Sequence, residues 1–304
     1  MKVLVCDPVS SKCIDILKSA GLEVSYQPKI SADELIKQIS EFDAVVVRSR
    51  TKITSSVIDA GKKLRVIGRA GVGLDNIDTE AAAKRGIVVL NTPESSTEAV
   101  AELVLGFMLS LARKIPIGDR GLKEGRWLKG EMMGIELKGK TLGIVGLGRI
   151  GSRVGALAKA FGMKILVYDV IQLPEQLVKS LDAQVVDLDT LLSNSDFVTL
   201  HVPLTPETRH MMNRERFAKM KKGAYLINAS RGEVVDEEAL YMALKEGWLA
   251  GAALDVFEHE PPTTEAVKLP NVVCTPHIGA QTVEAQDAAG ELLAEKVVKA
   301  LGVR

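Results

Sequence analysis

A short apolar run, Thr141-Leu142-Gly143-Ile144-Val145, leads directly into Gly146-Leu147-Gly148-Arg149-Ile150-Gly151 and then into a helical pattern. The glycine string alone is a weak signal. Between a strand and a helix it gains weight, because the first glycine permits a tight turn, the second lets backbone approach a diphosphate, and the third lets helix pack on strand. Exposed N–H groups and the positive end of that helix then attract the anion. The next expected strand, Lys164 to Tyr168, ends at Asp169, where a carboxylate can accept hydrogen bonds from ribose hydroxyls and repel a 2′-phosphate. Val170 and Ile171 follow in place of a basic residue, so NAD is favoured over NADP. The competing reading has Asp169 capping the next helix.

The same alternation of β-branched runs with amphipathic stretches pervades the chain. Lys2 to Cys6, Glu23 to Tyr26, Ala44 to Val47, Leu64 to Gly68 and Val88 to Leu90 read as strands of a first series. A second series runs from Thr141 through Lys164 to Tyr168, Phe197 to Leu200, Ala224 to Ile227, Gly251 to Leu254 and Val272 to Cys274. Such alternation signals βαβ units and a parallel sheet, so the expectation is α/β with two doubly wound parallel-sheet domains. Between the series, Val100, Leu103, Val104, Phe107, Met108 and Leu111 have the spacing of a core-facing helix over Glu98 to Arg113, taken as the bridge between domains. Ile117 to Gly139 reads as a partner-binding arm or a surface loop. A final helix, roughly Val283 to Leu301, has no sheet of its own after it and is placed back on the first domain.

With 304 residues, about two ordinary domains can each bury a core. Lys plus Arg number 39 and Asp plus Glu 39, so there is no cationic excess to seek nucleic acid or an anionic membrane. The longest apolar stretch, Leu103 to Ala112, is too short to span a bilayer, and Met1 to Asp7 reads as a strand, not a leader peptide. Cys6, Cys13 and Cys274 make neither a disulfide framework nor a metal-ligand spacing, so no metal is expected and a cytoplasmic setting fits.

If the glycine-rich turn binds NAD, the chemistry needs a base for a hydroxyl proton and a cation for an acid group. His277 follows Pro276 just beyond the last strand, at the carboxyl edge where open α/β sheets bind ligands, and is the best base candidate. His259 is a rival, His210 reads as solvated, and His201 either lines a cleft or is structural. Arg231, in Asn228-Ala229-Ser230-Arg231-Gly232, also follows a strand, and its fork suits a carboxylate. The alternative is a loop arginine paired with Glu233 or Asp236. Glu260, stiffened by Pro261 and Pro262, and Glu258 are both candidates to orient His277 and raise its pKa.

Five ordered motifs, the glycine string, Val202-Pro203-Leu204-Thr205, the Asn228 to Gly232 stretch, Ala253-Leu254-Asp255-Val256-Phe257 and Thr275-Pro276-His277-Ile278-Gly279-Ala280, together resemble the D-isomer-specific 2-hydroxyacid dehydrogenases. The likeness covers essentially the whole chain. Val47-Arg48-Ser49 and Arg69-Ala70-Gly71-Val72-Gly73-Leu74-Asp75-Asn76 look most like the D-3-phosphoglycerate dehydrogenase branch. The resemblance implies that Arg231 binds the substrate carboxylate and carbonyl, that His277 is the acid/base, and that Glu260 supports it. It implies cofactor contacts at Val72, Gly146, Gly148, Arg149, Ile150, Gly151, Asp169, Val202, Pro203, Ala229, Ser230, Arg231, Asp255, His277, Gly279 and Ala280. Arg48, Ser49, Arg69 and Gly71, with Arg231, would hold a phosphorylated 2-hydroxy acid.

The implied organisation is a flavodoxin-like substrate domain, 1–97 and 282–304, with a Rossmann NAD-binding domain, 98–281, inserted in it. A homodimer through the cofactor domains and a role in serine biosynthesis are implied too, without a regulatory domain beyond Arg304. Departures include Arg50, where relatives often have Ala, and Ser96, where they often have Asn. A glyoxylate, hydroxypyruvate or D-lactate-type enzyme would use the same machinery, and an NAD-sensing corepressor is a reading from another class.

Overall fold

The computed structural model describes residues 1–303. Along the central strands of the first series, successive apolar side chains turn to opposite faces, so both faces of the sheet they build are covered. Strands β1 (Lys2–Val5), β2 (Glu23–Tyr26), β3 (Ala44–Val47), β4 (Val66–Arg69) and β5 (Val88–Asn91) are all parallel and ordered β2-β1-β3-β4-β5. That is the flavodoxin-like order. Val3, Val5, Ala44, Val46 and Val66 cluster with Leu293, Ala294 and Val297 of the final helix, Val283–Leu301. Leu4, Cys6, Val45, Val47 and Ile67 line the opposite face. The period of two along a strand and cover on both faces account for these near-continuous apolar runs.

The second sheet follows the same logic on a larger scale. Its strands are β6 (Thr141–Val145), β7 (Lys164–Tyr168), β8 (Ala183–Val185), β9 (Phe197–Leu200), β10 (Tyr225–Asn228), β11 (Gly251–Leu254) and β12 (Val272–Cys274), all parallel. Their order, β12-β11-β10-β9-β6-β7-β8, reverses direction between β9 and β6, the switch point at which such sheets bind ligands. Val198, Leu200, Leu226, Ala252 and Leu254 face one core. Ile144, Ile165, Val167, Phe197, Ile227 and Ala253 face the other, where the helix Thr97–Ala112 contributes Val100, Val104, Phe107, Met108 and Leu111. The chain thus divides into two compact units, Met1–Thr97 with the residues from Ala280 onward, and Glu98–Gly279.

Two elements differ from the sequence reading. Strand β8 was not expected; it has three residues, lies at the sheet edge and is largely exposed, so it carries no apolar run. Within the expected arm or loop, Ile115–Lys123 is a helix, hidden by two glycines. Those glycines have a packing reason: a Cβ on Gly121 would sit 2.5 Å from Leu128 Cδ1, and one on Gly118 would sit 3.0 Å from Met132 Cε. The segment after the helix therefore folds back over it. Among the described residues no helix is long and apolar enough to cross a membrane, and no group of three or more His, Cys, Asp or Glu could hold a metal ion.

Candidate active site

The glycine turn leaves β6 at Gly146, whose φ of +93° suits glycine and whose missing Cβ would otherwise meet the His201 carbonyl oxygen at 2.8 Å. A Cβ on Gly151 would lie 2.1 Å from the Gly146 carbonyl oxygen, so the helix Arg149–Ala160 can start this close to the strand only with glycine there. Gly148, its N-cap, faces open space and supplies no side-chain cap. The unpartnered N–H groups of the first turn and the room above Gly148 suit a diphosphate.

Asp169 does not cap the following helix, which begins at Glu175 behind Pro174. One of its oxygens accepts from the Leu147 N–H at 2.8 Å and the other from the Ile171 N–H at 3.2 Å. The carboxylate thereby fixes the glycine turn while each oxygen keeps a free lone pair. Val170 and Ile171 beside it are exposed and uncharged. These features fit the adenosine half of NAD.

The carboxyl ends of β10, β11 and β12 carry the reactive candidates. Buried Asn228 shapes the turn after β10: its amide nitrogen donates to the Arg231 carbonyl at 2.9 Å, and its oxygen accepts from the Ser230 N–H at 3.1 Å and the Ser230 hydroxyl at 2.9 Å. Arg231 Nη1 donates to the Ser230 carbonyl at 2.8 Å. Ala229 and Ser230, half-buried, lie on the same turn.

After β11, Asp255 is 1 % exposed, and its carboxylate is filled by the loop that follows β12. Oδ1 accepts from the Thr275 hydroxyl at 2.6 Å and the Ile278 N–H at 2.7 Å, and Oδ2 from the Gly279 N–H at 2.8 Å. The His277 N–H donates to the Asp255 carbonyl at 2.8 Å. His277 is held at φ +53°, an uncommon conformation for a non-glycine residue that this bonding fixes. Asp255 thus acts inside the fold as the anchor of the His277 loop, a role sequence spacing does not reveal.

His277 Nδ1 lies 3.0 Å from both carboxylate oxygens of Glu260, and both side chains are about half exposed. Neither rival histidine shares this position. His259 is exposed, and Glu258 pairs with His210, its Oε2 3.2 Å from His210 Nε2. His210 is therefore not simply solvated. Burial pulls His201 down to about 4, and its Nε2 lies 3.0 Å from the Thr199 hydroxyl, so it stays neutral near pH 7.

In the first unit, Arg48 and Ser49 follow β3 and Arg69 ends β4. Asn76, not singled out in the sequence, ties them together: its amide nitrogen donates to the carbonyls of Arg48 at 2.7 Å and Thr51 at 2.6 Å, and its oxygen accepts from Arg69 Nε at 3.0 Å. Burial lowers the Arg48 guanidinium from its ordinary range, opposed by the charge of Asp7. Arg50, the departure noted above, has a structural role. It pairs with buried Asp7 at 3.0 Å and donates to the carbonyls of Cys6 and Ile30. The N–H of Gly71, at φ +149°, donates to the Thr92 hydroxyl oxygen at 3.0 Å, and the Val72 carbonyl accepts from Asn91.

Comparison with known proteins agrees with this architecture. Residues 105–279 match the family model described as D-isomer specific 2-hydroxyacid dehydrogenase, NAD binding domain. The chain is 51% identical over 99% of its length to a D-3-phosphoglycerate dehydrogenase of Methanocaldococcus jannaschii, of which it covers 57%. It is 50% identical to a hydroxypyruvate reductase of Thermotoga maritima, with 99% of each chain covered. A D-lactate dehydrogenase of Aquifex aeolicus, solved with NAD and lactic acid, superposes with a TM-score of 0.85 at 34% identity over 99% of this chain and 95% of that one. The chain spans just over half the length of the phosphoglycerate dehydrogenases it matches. On the breadth and identity of these matches, the chain belongs to the D-isomer specific 2-hydroxyacid dehydrogenase family.

Proposed function

We propose that the chain is an NAD-dependent dehydrogenase that oxidises D-3-phosphoglycerate at C2. The observation that carries this reading is the His277 to Glu260 pair, anchored by Asp255 at the carboxyl edge of the NAD-binding sheet. When bound, NAD supplies the acceptor for the hydride that leaves C2. Glu260 accepts a hydrogen bond from His277 Nδ1–H, which keeps the proton on Nδ1 and leaves Nε2 unprotonated and able to accept the C2 hydroxyl proton. The imidazolium that results faces a carboxylate and is stabilised by it. In reverse the same nitrogen returns the proton. Arg231 orients the substrate carboxylate with its fork and stabilises negative charge on the C2 oxygen.

Arg48, Ser49 and Arg69 hold the phosphate, a reading supported by the way Asn76 binds the Arg48 loop to Arg69. Arg69→Ala is expected to lower kcat/KM for D-3-phosphoglycerate by about 10- to 100-fold, the worth of one charge-assisted contact. D-glycerate should be far less affected. Equal losses on both substrates would remove Arg69 from the phosphate site.

Asp169 is assigned to the adenosine ribose. Asp169→Ala is expected to reduce the preference for NAD over NADP by about 10- to 100-fold in kcat/KM. An unchanged preference would leave Asp169 only as the tie to Leu147.

Reduction of hydroxypyruvate is the second reading, favoured by the relative whose whole length this chain spans. Initial rates with D-3-phosphoglycerate and phosphohydroxypyruvate, against glyoxylate, hydroxypyruvate and D-lactate, test the choice. Preference for the phosphorylated pair supports the first reading, and preference for an unphosphorylated acid replaces it with the second. We further read the protein as a cytoplasmic homodimer joined through the cofactor domains. Exposed Leu122, Trp127 and Met133, which lie on or just beyond the helix Ile115–Lys123, support an assembly surface on that unit.

A further inference from the structure

Glu258, by sequence a candidate to orient His277, does different work in the structure. Its Oε1 accepts the Glu237 N–H at 3.2 Å, while its own N–H donates to Glu237 Oε1 at 2.8 Å. Each glutamate thus closes the other's backbone across 21 residues of chain. Glu237 is the first residue of the helix Glu237–Lys245, where N–H groups lack helical partners and a carboxylate is favoured by the helix dipole. Asp236, the N-cap, satisfies Ala239, so Glu258 takes a donor the cap leaves over.

Further contacts tighten the joint. A Cβ on Gly232 would lie 1.9 Å from the Phe257 carbonyl carbon and 2.5 Å from the Glu258 nitrogen, so the two backbones touch. Phe257 is buried in the same core as Val234 and Leu240. Glu258 Oε2 stands at ion-pair separation, 3.2 Å, from His210 Nε2 without hydrogen-bond alignment, and the His210 N–H donates to the Glu233 carbonyl at 2.7 Å. The segment next to Arg231 and the segment next to Glu260 are therefore one joint.

We propose that Glu258, clasped with Glu237, is a positioning residue that holds the Arg231 turn and the Glu260 loop in register for the reaction. The inference rests on the roles given above to Arg231 and Glu260. The role assigned to the clasp acts through Arg231 and Glu260. Loss of the clasp lets both loops drift, and a misplacement of about 1 Å can cost on the order of 100-fold in rate.

The test compares the full chain with Glu258→Ala, Glu258→Gln and Glu237→Ala, reading kcat, KM for the hydroxy acid, NADH affinity and amide hydrogen exchange at positions 237 and 258. Glu258→Ala is expected to lower kcat and raise KM for the acid, to lower kcat/KM by about 10- to 100-fold, to leave NADH affinity unchanged, and to expose the Glu237 amide, whose acceptor it removes, to exchange. Glutamine keeps an accepting oxygen and should restore most activity, and Glu237→Ala, which removes the reciprocal bond and exposes the Glu258 amide but keeps the contact of Glu258 with His210, should fall between and serves if Glu258→Ala does not fold. An active wild type whose Glu258→Ala variant keeps normal kcat and KM overturns the clasp, as does a glutamine variant as impaired as alanine. A wild type inert towards every 2-hydroxy and 2-oxo acid overturns instead the roles of Arg231 and Glu260, and the positioning role with them.

Discussion

Replacing His277 with alanine is expected to lower kcat by about 10²- to 10⁴-fold while leaving NADH affinity unchanged. The separation follows from the geometry. The anchoring contacts of the loop are made by backbone and by Asp255: the N–H groups of His277, Ile278 and Gly279 and the Thr275 hydroxyl all end on Asp255. Removing the imidazole leaves them in place, so the loop persists without its base. Glu260→Gln should act on the same step more mildly, because an amide can still accept the Nδ1–H but no longer stabilises imidazolium by charge. Steady-state kinetics with fluorescence titration of NADH distinguishes the two quantities. Full turnover in His277→Ala would transfer the proton role to another group.

Arg231→Lys should be the other severe change, lowering kcat/KM by about 10²- to 10³-fold despite keeping the charge. The planar fork binds a carboxylate through two parallel hydrogen bonds, which a single ammonium cannot reproduce. The Asn228 side chain builds the turn from which Arg231 projects and would serve lysine equally well. A large loss in the lysine variant therefore reports the fork and not the turn. Near wild-type kcat/KM would mean that Arg231 supplies only charge.

Much of the scaffold was legible because period-two apolar runs and the glycine string are local signals. Eleven of the strands read from sequence lie at or within two residues of their expected positions, and the final helix runs from Val283 to Leu301 as read. The pairing of His277 with Glu260 over Glu258 came from resemblance, since residue types alone left both open. What sequence did not reveal are bonds between distant loops. Asp255 is expected at the cofactor; the bonds that its carboxylate accepts from three donors of the His277 loop, about twenty residues on, are of this kind. Asn76 and Asn228 stand inside motifs, but their roles do not show there because one side-chain amide closing a turn has no periodicity. Glu258 and His210 meet across nearly fifty residues, with nothing in either motif to announce it.

The central claim is hydride transfer from C2 of a D-2-hydroxy acid, and isotope transfer tests it most directly. With D-3-phosphoglycerate deuterated at C2 and unlabelled NAD, the reduced cofactor should carry the deuterium, measured by mass spectrometry, and the L enantiomer should give none. Reduced cofactor without the label, label from both enantiomers alike, or no transfer from this or any deuterated 2-hydroxy acid would contradict the account.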